Sequence, residues 1–331
     1  GRPFTPWPRD PFLAARAGDG AVVFVNRPNA QPKREEDAHF VRAIVSAIPD
    51  SLDREWKKAR WTVAPVPFHN GHVLLMPDAA WISIHTVEIR ALEILGLDRV
   101  PVETFHDAEG IKRYVAAVNT AARELEALYR RPVRFVHPLP DAEPLAGQIA
   151  LMQILGGGAG FDLDSLLTLL PRRDGSLAAL VGDLRLGSRL AREAAATEWQ
   201  PVHRAYGFAG EAATLGRRIA EAQDMPRTAG LQLFLDLVAA HLDAGRLPLL
   251  NVPLSLLDDR SALGGTEFLL TWNNVVLEQR RAEGFASLFA PGDAFARRAF
   301  ADAGYRLELF PPLIRSIVLN GGYRCASNHV R

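Results

Sequence analysis

Short apolar runs come in pairs along this chain, and a stretch with helical spacing follows each pair. Val73 to Met76 and Trp81 to Ile84 flank a Pro77-Asp78 turn signal, and helical periodicity resumes from Thr86 to Leu95. Leu166 to Leu170 and Leu177 to Val181 flank Arg173-Asp174-Gly175, a hairpin signal, and the chain from Leu186 to Gly245 then reads as mostly helical. Ala21 to Asn26 is a strand ahead of helical spacing in Phe40, Ile44 and Ile48, with Trp61 to Pro67 extended beyond it. Leu249 to Leu257 and Phe268 to Leu277 read as strands, Asp293 to Ala303 as a helix and Tyr305 to Leu309 as a strand. Asp107 to Tyr129 reads as a long amphipathic helix with Ile111, Val115, Val118, Ala122 and Leu125 on one face. A strand–strand–helix order that recurs in this way predicts repeated α/β modules and disfavours a doubly wound sheet.

Acidic and basic residues balance at 38 each, so no net field draws the chain to nucleic acid or to an anionic membrane. No apolar run reaches the ~20 residues of a membrane span, and no signal peptide is visible. The chain begins at Gly1 rather than Met, which leaves the compartment open between cytoplasm and export. A single cysteine excludes an internal disulfide.

That cysteine, Cys325, stands in Gly321-Gly-Tyr-Arg-Cys-Ala-Ser-Asn328-His-Val-Arg331, where an apolar run gives way to a polar one. Glycines ahead of a thiol permit turn geometry and close ligand approach. A thiol there reads as a nucleophile or as a small buried hydrophobe. Gly156 to Gly160 leads into Asp162 and Asp164, but its spacing matches no phosphate-binding fingerprint. Asn273 and Asn274 sit together in the middle of an apolar run, where two amides are costly without partners.

Four segments, in order, resemble the protein-arginine deiminase catalytic domain of the guanidino-group-modifying (pentein) superfamily. Trp7-Pro-Arg-Asp10 is similar to its Trp-x-x-Asp segment. Asp162-Leu-Asp164 stands where the family has His-Val-Asp. Asn273-Asn274-Val-Val-Leu resembles its Asn-x-Val-Val-Leu strand, and Gly322 to Arg331 resembles the ending that carries the nucleophile. The resemblance spans nearly the whole chain and implies a single domain over residues 1–331 folded as a five-bladed α/β propeller. It also implies Cys325 as nucleophile and Asp10 and Asp164 as guanidinium ligands.

Two departures matter. Asp162 replaces the family's general acid/base histidine, and a carboxylate there is a poor proton donor at neutral pH unless burial raises its pKa. Conversely, His69-Asn70-Gly71-His72 brings imidazoles to a strand that approaches the same pocket in relatives. His72 is therefore a candidate proton carrier, with Asp162 orienting it or adding a carboxylate; the alternative is a pair of surface or hairpin histidines. Calcium is not expected, because Pro11 and Phe12 follow Asp10 where the animal enzymes carry acidic residues, and no cofactor is expected.

A planar guanidinium asks for carboxylates placed for paired hydrogen bonds, which Asp10 and Asp164 would supply. Trp7 would pack on the substrate stem or in the core, Asn273 would line the pocket or serve nearby backbone, and Arg324 would hold a peptide carbonyl or carboxylate or lie in solvent. The thiolate would displace ammonia and water would release a ureido product. The expected partner is an arginine-bearing peptide or a small guanidino compound. A module that binds arginine without turnover and an amidinotransferase are the competing readings. Oligomeric state is not legible.

Overall fold

The computed structural model describes residues 12–28, 39–48, 56, 58–76, 78–97, 107–129, 131–137, 139, 144–155, 162–257 and 268–313. They divide into two compact units, one ending at Phe135 and the other beginning at Val136. Among the described residues one module recurs: two antiparallel strands, a helical segment, then a third strand beside the second.

In the first unit, β1 (Phe12–Arg16) pairs antiparallel with β2 (Val22–Asn26). Helix α1 (Phe40–Ser46) follows, and β3 (Arg60–Val63) returns parallel to β2. Burial alternates along β2, as expected of a strand with one face on the core. Phe12, Val22, Phe24 and Val41 form that core. The second module pairs β4 (Val73–Leu75) antiparallel with β5 (Ala80–Ser83), passes through α2 (Ile84–Leu95) and α3 (Ala108–Tyr129), and places β6 (Val133–Val136) beside β5.

Helix α2 starts before the position predicted from the sequence. Ser83 is the N-cap, its hydroxyl accepting from the His85 backbone N–H at 3.2 Å, so Thr86 lies inside the first turn rather than capping it. Asp107 caps α3 by accepting from the Glu109 and Gly110 N–H groups. The buried stripe of α3 is also rotated from the predicted face. Val118, Ala122 and Leu125 of that face are inside together with Tyr114, Ala117 and Ala121, whereas Ile111 is 41% exposed. Small alanines let the helix approach its neighbours, which a count of large apolar residues does not detect.

The second unit begins with Val136 and α4 (Leu145–Leu155). A single helical turn, α5 (Leu163–Leu166), then delivers the chain into β7 (Leu167–Pro171), which pairs antiparallel with β8 (Leu177–Asp183) across a turn where Gly175 takes φ +82°. Four helices follow: α6 (Leu184–Glu193), α7 (Ala196–Tyr206), α8 (Ala212–Ala222) and α9 (Pro226–Ala244). Strand β9 (Leu249–Leu257) lies parallel to β8, and β10 (Phe268–Thr271) adds antiparallel to β9.

The apolar run expected as one strand over Phe268 to Leu277 is two strands in two sheets. β10 ends at Thr271, and β11 (Val276–Glu278) starts the next module, antiparallel to β12 (Arg281–Phe285). Helix α10 (Ala290–Asp302) and β13 (Arg306–Phe310), parallel to β12, complete it. The paired amides sit at this crossover, where backbone groups leave one ladder before entering another. A core containing Trp199, Tyr206, Trp272, Phe289 and Phe300 spans both sheets of this unit, with Trp199 stacked on Phe289 at 4.0 Å. No described helix is long and apolar enough to cross a membrane.

Candidate functional site

In the second unit the polar residues converge on the start of β7. Asp164 lies in the α5 turn with no exposed surface, and its Oδ1 accepts from Asn274 Nδ2 at 2.9 Å. Asn273 reaches the same region from the β10–β11 crossover. Its Nδ2 donates to the Leu166 carbonyl at 2.9 Å, and its Oδ1 and backbone carbonyl accept from the Thr168 hydroxyl at 3.0 and 2.8 Å. The two side-chain amide atoms thus bind α5 and β7.

The sequence pointed to the amide pair but did not say which amide faces the carboxylate. Here it is Asn274 that holds Asp164, a residue the motif reading had not singled out. The available signal was that adjacent residues in an extended segment point to opposite sides. Asp162 stands at the N-cap position of α5, half-buried, without a side-chain capping bond.

In the first unit the site-forming residues are imidazoles. A 3₁₀ turn over Asn70–His72 precedes β4 and is closed by the His72 N–H donating to the His69 carbonyl at 3.0 Å. His72 is buried at 5% exposure, and its Nδ1 lies 3.1 Å from the Thr86 hydroxyl, itself 3% exposed. The His69 ring is centred 4.5 Å from that of His72, and the His85 ring 5.2 Å from it on the helix side. His85 Nδ1 meets the buried Glu88 carboxylate at 2.8 Å, three residues further along α2. Glu88 also helps, after burial, to push the Tyr114 phenol pKa well above its usual value.

This is not a solvated pair of hairpin histidines. Three imidazoles with tilted, neighbouring rings lie beside a buried carboxylate and form one polar cluster.

Two further histidines meet backbone carbonyls. His137 Nδ1 lies 2.7 Å from the Leu139 carbonyl, and His203 Nε2 lies 2.8 Å from that of Gly210. Trp7, Asp10, Arg324 and Cys325 lie outside the described residues.

The second unit also holds a cleft of about 740 Å³ walled by α9 and α10, but it includes none of the candidate site residues named from the sequence. Its polar lining is largely paired within itself. Arg185 and Gln232 both donate to Asp236 Oδ1, and Asn251 Nδ2 donates to Asp183 Oδ2 at 3.1 Å.

No protein-family model matches the chain, and no curated protein matches it. Solved structures do. C. jejuni agmatine deiminase aligns with 97% of this chain and 71% of its own, at 10% identity and a TM-score of 0.51. A cysteine-to-serine variant of the C. jejuni enzyme with substrate bound aligns with 97% of this chain and 72% of its own, at 9% identity and a TM-score of 0.52. A dimethylarginine dimethylaminohydrolase adduct aligns over 97% of this chain and 77% of its own at 12% identity, but its TM-score of 0.38 carries no weight. At such identity the likeness concerns architecture, not chemistry. Recurrent modules of antiparallel pair, helix and returning strand, aligned over nearly the full length with agmatine deiminase, show that this chain shares the α/β fold of that enzyme.

Proposed function

We propose that this protein is a cysteine-dependent hydrolase acting on a guanidino group, and that the group is that of a peptidyl arginine, converted to citrulline with release of ammonia. The observation that carries the reading is Asp164, a carboxylate with no exposed surface held by an amide, at the position the family resemblance gives to a guanidinium ligand. A planar cation with several N–H donors is a suitable partner for a carboxylate in such a setting. The five-bladed, single-domain architecture belongs to this reading, supported by four copies of the module among the described residues.

In the proposed cycle the Cys325 thiolate attacks the guanidinium carbon while Asp164 and Asp10 hold the nitrogens. Collapse of the tetrahedral adduct breaks the bond to one nitrogen, which leaves as ammonia after taking a proton. Water then adds to the thiouronium carbon and gives up one proton to the base; expulsion of the thiolate and loss of the second proton to solvent leave the ureido product. His72 is the proton carrier in this scheme, giving one proton to ammonia and recovering one from water, with Asp162 adding a further carboxylate for the cation. Trp7 packs along the substrate stem, Asn273 supports the helical turn that bears Asp164, and Arg324 contacts the substrate's backbone. The buried, hydrogen-bonded setting of His72 supports this assignment.

The test is colorimetric ureido detection on an arginine peptide, free arginine and agmatine. Turnover should appear on at least one, fall to background in Cys325→Ala, and fall at least a hundredfold in His72→Ala. Full activity in His72→Ala removes its role. Absence of turnover together with saturable binding of the arginine peptide would favour the binding module, a reading motivated by Asp162 standing in place of the family histidine. An amine-dependent product would identify amidino transfer.

A further inference from the structure

We infer that Thr86 is a positioning residue which makes Nε2 of His72 the nitrogen that exchanges protons; this rests on the assignment of His72 as proton carrier. His72 Nδ1 and the Thr86 hydroxyl are 3.1 Å apart, and both side chains are buried. An aliphatic hydroxyl does not accept a proton near neutral pH, so nothing can be transferred to or from the ring through Nδ1. Exchange is left to Nε2.

The proton count then fixes the direction of the bond. In the imidazolium both nitrogens carry hydrogen, so Nδ1–H donates and the Thr86 oxygen accepts. When Nε2 gives its proton to the departing ammonia, the ring remains as the neutral Nδ1–H form with a lone pair on Nε2. That lone pair takes the proton that water loses as it adds to the thiouronium carbon. Thr86 accepts throughout, and the ring need not turn between the two half-reactions. Helix α2 makes this placement: the Ser83 cap starts it, and Thr86 then lies in its first turn facing the loop that carries His72. The neighbouring His85 is tied to Glu88 at 2.8 Å and so is not the partner of Nδ1.

Nitrogen-15 NMR of the whole protein, with the His72 cross-peaks identified by their loss in His72→Gln, reads the tautomer directly at a pH where the ring is neutral. The expected result is a protonated Nδ1 and a lone pair on Nε2 in wild type and in Thr86→Ser. Thr86→Val, of similar shape, should give a mixture of tautomers, with kcat lowered about tenfold or more and KM little changed. A neutral ring carrying its proton on Nε2 in wild type overturns the inference, because Thr86 would then be the donor. So would a Thr86→Val protein with the wild-type tautomer. Loss of turnover in wild type bears on the proposed reaction and leaves the NMR result to decide the role of Thr86, so the two failures are distinguishable.

Discussion

Asn274 donates to a carboxylate that water does not reach, and that single bond separates it from its neighbour Asn273. Replacing Asn274 with Ala removes a donor from a buried charge, and hydrogen bonds to charged groups contribute about 1.5–3 kcal/mol. Asn274→Ala should therefore lower stability in urea by about 2 kcal/mol. Asn274→Ala combined with Asp164→Asn should recover part of that loss, because the charge left short of donors is gone. Equal losses in the single and double variants would show that the Asn274 bond does not support the charge. At this scale the sequence was informative about which residue types were out of place and silent about their partners. A carboxylate pair after glycines and an amide pair in an apolar run were both visible. The contact between them joins residues 110 positions apart, and no local spacing encodes that. The helix expected from Thr86 starts earlier for the same kind of reason: Ser83 and Thr86 are both good caps, and where the strand stops decides between them.

Among the elements, the junction of α6 with β9 is the least forgiving. A Cβ on Gly187 would stand 2.0 Å from the Leu254 carbonyl oxygen and 2.8 Å from the Ser255 hydroxyl, so the helix rests directly on strand backbone. Strand β9 cannot yield, since it is paired on one side with β8 and on the other with β10. Gly187→Ala would gain up to about 1 kcal/mol of helix propensity. Overpacking against backbone costs about 1–3 kcal/mol and sometimes more, and it should win. The expected net loss is about 2 kcal/mol in urea unfolding, whereas Gly147→Ala, where nothing lies within 4 Å of the added carbon, should be neutral or stabilising. Gly187→Ala as stable as wild type would mean that the helix can lift from the strand. Strand pairs were legible where turn residues bracket them, as at Arg173-Asp174-Gly175, and β9 matches its expected span. The β10–β11 boundary was not, because Trp272 and Val275 keep the run apolar through the crossover; both belong to the core shared by the two sheets, so burial there does not stop where the strand does. Strand β12 and helix α4 also gave no clear signal, the first because Arg281 and Glu283 dilute it and the second because its apolar residues show little preference for one face.

Across the whole molecule, each unit keeps a phenol in its interior, and this sets an alkaline limit. Burial raises the pKa of Tyr114 in the first unit, with the Glu88 charge adding to it, and that of Tyr206 in the second, with Asp293 adding. A phenol ionises near pH 10 when exposed, so the unfolded chain releases these protons before the native one does. The sign follows from that order. A raised native pKa leaves stability intact below pH 10 and removes it as pH climbs from 10 toward the native values, at up to about 1.4 kcal/mol per pH unit for each phenol. Tyr206 is the more deeply buried of the two and should account for the larger share. Urea unfolding between pH 8 and 11.5 should therefore show stability falling above pH 10. Tyr206→Phe should flatten the fall, and Tyr114→Phe with Tyr206→Phe should flatten it further, even if both variants are less stable than wild type at pH 8. The comparison is between slopes, so other groups that titrate in this range cancel as long as they are common to all the proteins. A double variant that loses stability as steeply as wild type above pH 10 would show that neither phenol sets the limit.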